Sequence, residues 1–261
     1  MPIYEEFAPI YAQGGYTNYS EKMARLLPEA LGRLGKGHRK ILDLACGEGT
    51  FARTAAELGY EVTGIDLSPR MIEIAREKTE EERVSFFQGD MRQLDYEEEF
   101  DLVTCWFDGL NYLLEEEDIL HTLAGVRKAL REQGTFIFDI NSLYQLKENW
   151  MEDPCTVQRD SAEVFELHRT SFNSRKNIAT LKITAFLRGE EGWRRFDEEH
   201  KERGYSLEEI RKYCLQSGLR ELDAWDDWET FTDPDERSGR IWFAWEKPKG
   251  KKRKAGRKNY E

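Results

Sequence analysis

Three carboxylates and two glycines stand at a spacing that chemistry can use: Asp43, Gly47 and Gly49, then Asp66 and Asp90. Ile41, Leu42, Leu44 and Ala45 read as a near-continuous apolar strand, Gly47 and Gly49 give a tight turn of bare backbone, and Thr50 is placed to cap a helix. Residues 61–65 form the next apolar run, which Asp66 closes at the distance a β-α-β unit needs for a carboxylate to reach two ribose hydroxyls. Asp90, in Gly89-Asp90-Met91, and the segment 106–112 follow two further runs. All four points fall where strands end at their carboxyl side, the ligand crevice of an open parallel sheet. An adenosine suits them: Asp66 accepts from the ribose, Asp90 accepts from the exocyclic amine, and Leu67, Met71 and Met91 give apolar contact. The glycines alone also satisfy the loose dinucleotide pattern Gly47-x-Gly49-x-x-Ala52, which leaves a nicotinamide or flavin open. A nicotinamide site has no need of Asp43 within the first strand together with Asp90 after the third.

These residues require a parallel sheet to hold them. Strands are expected at 40–45, 61–66, 84–88, 101–106 and 135–140, alternating with helices at 50–58, 69–78 and 116–131. Ser68 before Pro69 is a helix start, and Gly134 is read as the end of the long helix. Ahead of this core, residues 1–36 form a flap rich in tyrosine (Tyr4, Tyr11, Tyr16, Tyr19) that leads into an amphipathic helix near 21–34. The core spans 37–141. Residues 142–203 turn to β-type segments and read as an antiparallel insertion, either a lid over a second substrate or a contact between two copies. The pattern returns to the core over 204–246, with Ser206 and Glu209 at capping-box spacing, a stop at Gly218, and closing strands at 220–225 and 240–246.

The chain has 261 residues, net charge −12 and four scattered cysteines with no CxxC pair, so neither a zinc site nor a disulfide frame is indicated. A reducing cytoplasm is the expected location. Its first residues lack a basic start and apolar run, and no apolar stretch nears the roughly 20 residues that cross a bilayer. Residues 247–261 carry eight Lys or Arg and one Glu, opposite in sign to an acidic body that disfavours broad contact with nucleic acid. This tail is expected to stay disordered and to aid solubility, with an RNA-binding arm as the rival reading.

The chain resembles the class I S-adenosylmethionine-dependent methyltransferases. Asp43-Leu-Ala-Cys-Gly-Glu-Gly-Thr50 is similar to that family's first motif, Gly64-Ile-Asp-Leu-Ser68 to its ribose-binding strand end, Gly89-Asp90-Met91 to its adenine-binding turn and Phe100-Asp-Leu-Val103 to its fourth strand. The resemblance implies a Rossmann-like, doubly wound α/β fold whose seven-stranded sheet has an antiparallel last strand. It implies S-adenosylmethionine as cofactor and S-adenosylhomocysteine as product. Ala45, Cys46, Gly47 and Gly49 would form the loop at the methionine end, with Asp43 in support, Asp66 at the ribose, Leu67, Met71, Gly89, Asp90 and Met91 at the base, Trp106 beside the sulfonium, and Tyr11 and Tyr19 closing from the flap.

Methyl transfer needs a nucleophile aligned with the S–CH3 bond and water kept out. A base is needed only if the acceptor arrives protonated. Asp108, Asn111, Tyr112, Tyr11 and His200 are the catalytic candidates, while His168 and His200 also suit structural or solvated roles. The segment 106–112 is not the Asn/Asp-Pro-Pro-aromatic tetrapeptide of enzymes that methylate amino groups on bases or glutamine. It is similar instead to bacterial small-molecule methyltransferases, including relatives of amino-sugar N-methyltransferases, in which a flap and a β insertion cover the acceptor. The expected partner is therefore a small-molecule acceptor bearing an N or O nucleophile, with an RNA methyltransferase and a nicotinamide-dependent oxidoreductase as alternatives.

Overall fold

Strands as apolar as Lys40–Leu44 (β1), Phe100–Cys105 (β4) and Leu130–Asn141 (β5) bury both faces only with helices on each side. The computed structural model, which describes residues 4–13 and 15–250, supplies that cover. With Glu61–Asp66 (β2), Val84–Gln88 (β3), Arg220–Trp225 (β10) and Arg240–Glu246 (β11), the sheet order is β10-β11-β5-β4-β1-β2-β3. Strands β1 to β5 pair in parallel, and β11 runs antiparallel to both of its neighbours. One face packs Leu42, Val103 and Phe138 against Glu116–Ala129 (α5) and Leu207–Gln216 (α6). The other packs Ile41, Val62 and Trp242 against Thr17–Arg33 (α2), Thr50–Glu57 (α3) and Pro69–Glu77 (α4). The expected Rossmann-like seven-stranded architecture is present, its last strand antiparallel. Among the described residues no helix is long and apolar enough to cross a membrane.

Local rules account for several boundaries. The Ser68 hydroxyl accepts from the Met71 N–H, with Pro69 in the first helical turn, and Ser206 and Glu209 form the reciprocal capping box. Two expectations are corrected. Gly49 holds the N-cap position of α3; the amide of Thr50 donates to Glu48 Oε1 at 3.1 Å while its hydroxyl accepts from Arg53. A carboxylate there also suits the helix dipole. Gly134 does not end α5: the helix stops at Ala129, β5 begins at Leu130, and Gly134 lies within that strand. It is needed because a Cβ there would lie 2.9 Å from the Arg131 carbonyl oxygen.

The insertion forms its own antiparallel sheet, Cys155–Asp160 (β6), Val164–Asn173 (β7), Ile178–Gly189 (β8) and Gly192–Arg203 (β9) in that order. The flap helix Ala8–Gln13 (α1) leads into its inner face, where Phe7 and Ile10 pack on Ile183, Ala185 and Phe196. Lys247 was expected to open the tail, yet its backbone pairs with Gln133 and Gly134 and its ammonium meets Glu98 and the Leu130 carbonyl. It belongs to the body. The expectation for 251–261 lies outside the described residues.

Gly64, in β2, faces the Phe86 ring and the Cys46 sulfur. A Cβ there would lie 2.7 Å from the first and 2.9 Å from the second. Gly64→Ala is expected to lower stability by about 1–3 kcal/mol in urea denaturation. An unchanged midpoint would show that Phe86 on β3 and Cys46 in the loop after β1 part without cost.

Candidate active site

Beyond the carboxyl ends of β1, β2 and β4 lies a cavity of about 250 Å³. The loop after β1 reaches it through left-handed backbone at Ala45 (φ 52°) and Gly47 (φ 55°), a conformation costly for alanine and common at binding sites. Asp66 holds this loop: its Oδ2 accepts the Gly47 N–H at 2.9 Å and its Oδ1 the Ser68 N–H at 2.8 Å. Burial pushes its carboxyl up, and those two hydrogen bonds pull it back. Asp43 is 1% exposed and accepts the Thr104 hydroxyl at 2.7 Å. Burial raises its pKa to about 8, against the pull of Thr104. Apolar cover comes from Ile65, Met71, Met91 and Trp106, the last buried against Phe51 with its Nε1 unpaired among the described residues. Leu67, Gly89 and Asp90 stand at the open end. There the Arg92 guanidinium grips both Asp90 oxygens and lowers that carboxyl's pKa.

A second cavity of about 420 Å³ lies behind the first, toward the insertion. Tyr4, Tyr11, Phe107 and Tyr112 line both cavities and form the wall between them. The Tyr4 and Tyr112 hydroxyls are 3.0 Å apart, and Tyr112 is also 3.0 Å from His200 Nδ1. His200 Nε2 lies 2.9 Å from Glu198 Oε1 but too far off axis for a hydrogen bond, so it has no partner among the described residues. Deeper, Tyr16 and His168 both bond Glu166, which Arg159 neutralises.

The wall is fixed from below. Phe107 and Asp108 are consecutive left-handed residues (φ 55° and 56°), and Asp139 accepts both of their N–H groups, at 2.7 and 3.1 Å. Arg240, the first residue of β11, pairs with Asp139, with Asp108 at 2.8 Å and with Asn141 Oδ1 at 3.0 Å. Tyr19 stacks on Phe107 with centroids 4.9 Å apart and accepts from Trp242.

Most of the expected site residues therefore gather. Asp43, Ala45, Cys46, Gly47, Asp66, Leu67, Met71, Gly89, Asp90, Met91 and Trp106 line the first cavity, Asp108 and His200 the second, and Tyr11 and Tyr112 both. Three do not reach either wall. Gly49 faces Phe86, where a Cβ would lie 2.4 Å from the ring. Tyr19 props Phe107 from outside. Asn111 is buried as a clip, bonding the Asn141 and Arg203 carbonyls and the Asn141 amide. Sequence reasoning missed Phe107, Asp139, Glu202 and Arg240. One signal was available, since Asp139 interrupts an apolar run just as Asp43 does.

A family model described as a methyltransferase domain matches residues 41–134. A Geobacillus sp. (strain WCH70) protein named only as a methyltransferase is 34% identical over 213 residues, 80% of this chain and 84% of its own length. A Bacillus subtilis (strain 168) protein of the same kind of name is 32% identical over 254 residues, covering 95% of this chain and 98% of that one. Among solved structures, an S-adenosylmethionine-dependent methyltransferase from Clostridium acetobutylicum ATCC 824 superposes with a TM-score of 0.79 at 29% identity, over 95% of this chain and 100% of that one.

The Asp43 carboxyl gives a pH test. Its pKa in the folded protein, about 8, lies above the ordinary 3.8, so the folded state holds the proton more tightly and stability falls as pH rises between those values. Asp43→Asn keeps an oxygen for Thr104 and removes the titration. The variant should gain on the parent by up to about 4 kcal/mol from pH 5 to pH 9 in urea denaturation. A constant difference would show that Asp43 stays ionised throughout.

Proposed function

This chain belongs to the class I S-adenosylmethionine-dependent methyltransferases, and we propose that its acceptor is a small molecule held in the second cavity. The observation that carries the reading is the wall of four rings, Tyr4, Tyr11, Phe107 and Tyr112, shared by two cavities of about 250 and 420 Å³. The larger is lined by the flap and the insertion and has room for a metabolite, not for a folded nucleic acid.

The residues of the first cavity fit the cofactor. When bound, S-adenosylmethionine supplies a methyl group on a sulfonium sulfur. The carboxylates of Asp66 and Asp90 match its ribose and adenine amine, the buried Asp43 carboxyl backs the loop at its ammonium end, and Ile65, Met71 and Met91 give its base an apolar bed. Asp66 and Asp90 already accept from the protein, but each carboxylate oxygen has a second lone pair to offer. Trp106 carries a buried, unpaired N–H on the same wall.

The chain's own contribution to the reaction is alignment and exclusion. The aromatic wall sets the line along which a nucleophile in the second cavity meets the methyl group, and the flap keeps water from both sides. Positioning of this kind lowers a barrier by roughly 7–11 kcal/mol when complete. Tyr112, between the Tyr4 hydroxyl and His200, is placed to orient the acceptor.

Calorimetry should show binding of S-adenosylhomocysteine and none of NADH. Asp66→Ala should weaken that binding by about 1.5–3 kcal/mol, the worth of hydrogen bonds to a charged group. Unchanged affinity would leave Asp66 as a loop clip only. For the acceptor, radiolabelled methyl donor and a bacterial extract should place label in the low-molecular-weight fraction. Deleting 251–261, which spares the docked Lys247, should not change this. Label found only in RNA, and lost on that deletion, overturns the small-molecule reading.

A further inference from the structure

The second cavity has a charge imbalance that a neutral acceptor leaves unresolved. Asp108, Asp139 and Glu202 are buried at 8%, 0% and 3% exposure, and the guanidinium among them is that of Arg240. Asp139 spends both oxygens on the Phe107 and Asp108 amides and pairs with Arg240. Asp108 Oδ1 accepts from Arg240, and Glu202 Oε2 accepts from Asn141 Nδ2 at 2.9 Å. The second oxygens of Asp108 and Glu202 meet no protein donor among the described residues, and both residues line the cavity. Three carboxylates share one guanidinium, and uncompensated buried charge costs several kcal/mol.

The other charged neighbours do not restore the balance. His168 is committed to Glu166, which Arg159 already pairs. His200, 2% exposed, lines the same cavity with its Nε2 2.9 Å from a further carboxylate, Glu198, and without a hydrogen bond among the described residues. A metal ion does not suit the site, since among the described residues no group of three or more His, Cys, Asp or Glu side chains converges to hold one. The wall toward the methyl donor is aromatic, through Tyr4, Tyr11, Phe107 and Tyr112, and ring faces favour cations.

We infer that the acceptor enters as a protonated amine, its ammonium held between the free oxygens of Asp108 and Glu202, with Asp108 as the group that takes its proton. This rests on the small-molecule reading above and narrows it to nitrogen. The balance closes: the ammonium N–H breaks and the proton goes to the Asp108 carboxylate. The freed nitrogen lone pair forms the N–CH3 bond while the methyl–sulfur bond breaks and leaves its electron pair on sulfur. The methylated ammonium departs, and Asp108 returns its proton to water. Both carboxyls sit above their ordinary values: burial is the largest cause in each, the Asp108 charge adds to the rise at Glu202, and Arg240 pulls both back.

The test offers the full chain, with radiolabelled methyl donor, two matched sets of small acceptors that differ in a single group: amines, and the corresponding alcohols. Label is expected in the amine set alone. For the best amine, Glu202→Gln, an isosteric change, should raise KM at least tenfold while S-adenosylhomocysteine affinity and melting temperature hold, and Asp108→Asn should lower kcat at least a hundredfold. Alcohols as the acceptors overturn the inference and leave the small-molecule reading standing. So does an amine whose KM ignores Glu202→Gln. Label in neither set, or in macromolecules alone, overturns both. If Asp108→Asn fails to fold, the KM measured for Glu202→Gln still decides.

Discussion

The structure of both cavities depends on one carboxylate. Asp139, fully buried at the end of β5, accepts the N–H groups of Phe107 and Asp108 and pairs with Arg240. Two consecutive left-handed residues, one of them phenylalanine, cost of order 1–3 kcal/mol each. Hydrogen bonds to a charged acceptor return about 1.5–3 kcal/mol each, so the two contributions are of the same size and the loop keeps its shape only while Asp139 is in place. Phe107 stays in the wall between the cavities, and Asp108 faces the second, because of that balance.

Asp139 is in turn neutralised by a residue that the sheet topology delivers. In the antiparallel pairing of β11 with β5, Arg240 lies opposite Asn141 and Trp242 opposite Asp139. A strand running antiparallel begins where its parallel neighbours end, so its first residue arrives at the ligand edge. Were β11 parallel, Arg240 would sit at the far edge of the sheet and Asp139 would be buried with no counter-charge. The reversed last strand is thus a condition for the site as well as a feature of the fold. Trp242, two residues on and therefore on the same face, donates to Tyr19, which stacks on Phe107 from outside.

What the sequence made legible is what local rules govern. The apolar runs of β1 and β2, the Ser68-Pro69 start and the Ser206–Glu209 capping box each rest on neighbours a few residues apart, and the structure has them where they were expected. Gly49 holds the N-cap position expected of Thr50, which is already the first helical residue, and the Glu48 carboxylate takes the Thr50 amide. The second cavity was hidden for another reason. Along β9, Phe196, His200 and Glu202 are buried while Asp197, Glu199 and Lys201 are exposed, a period of two in which the inward set is mostly polar. By composition that segment reads as a solvated strand. Only the insertion sheet, laid against the flap, turns its polar face into a cavity wall. Asp139 and Arg240 are 101 residues apart, so no window of the sequence shows them as a pair.

Tyr4 joins the two halves of the site through its backbone as well as its ring. Its carbonyl accepts the Ser68 hydroxyl at 3.2 Å, and the same hydroxyl oxygen accepts from Met71 to start α4 beside the first cavity. Its amide donates to Glu198 Oε1 at 2.7 Å, on β9 of the insertion. One residue is therefore fastened to the helix that follows β2, beside the first cavity, and to the sheet that lines the second. A shift of either cavity's wall moves the ring that both share. The two cavities are separate in their linings, yet the path between them is set once, by a flap residue anchored on both sides and a β4 loop anchored by Asp139. The alignment that methyl transfer requires follows from those two anchors acting on one wall.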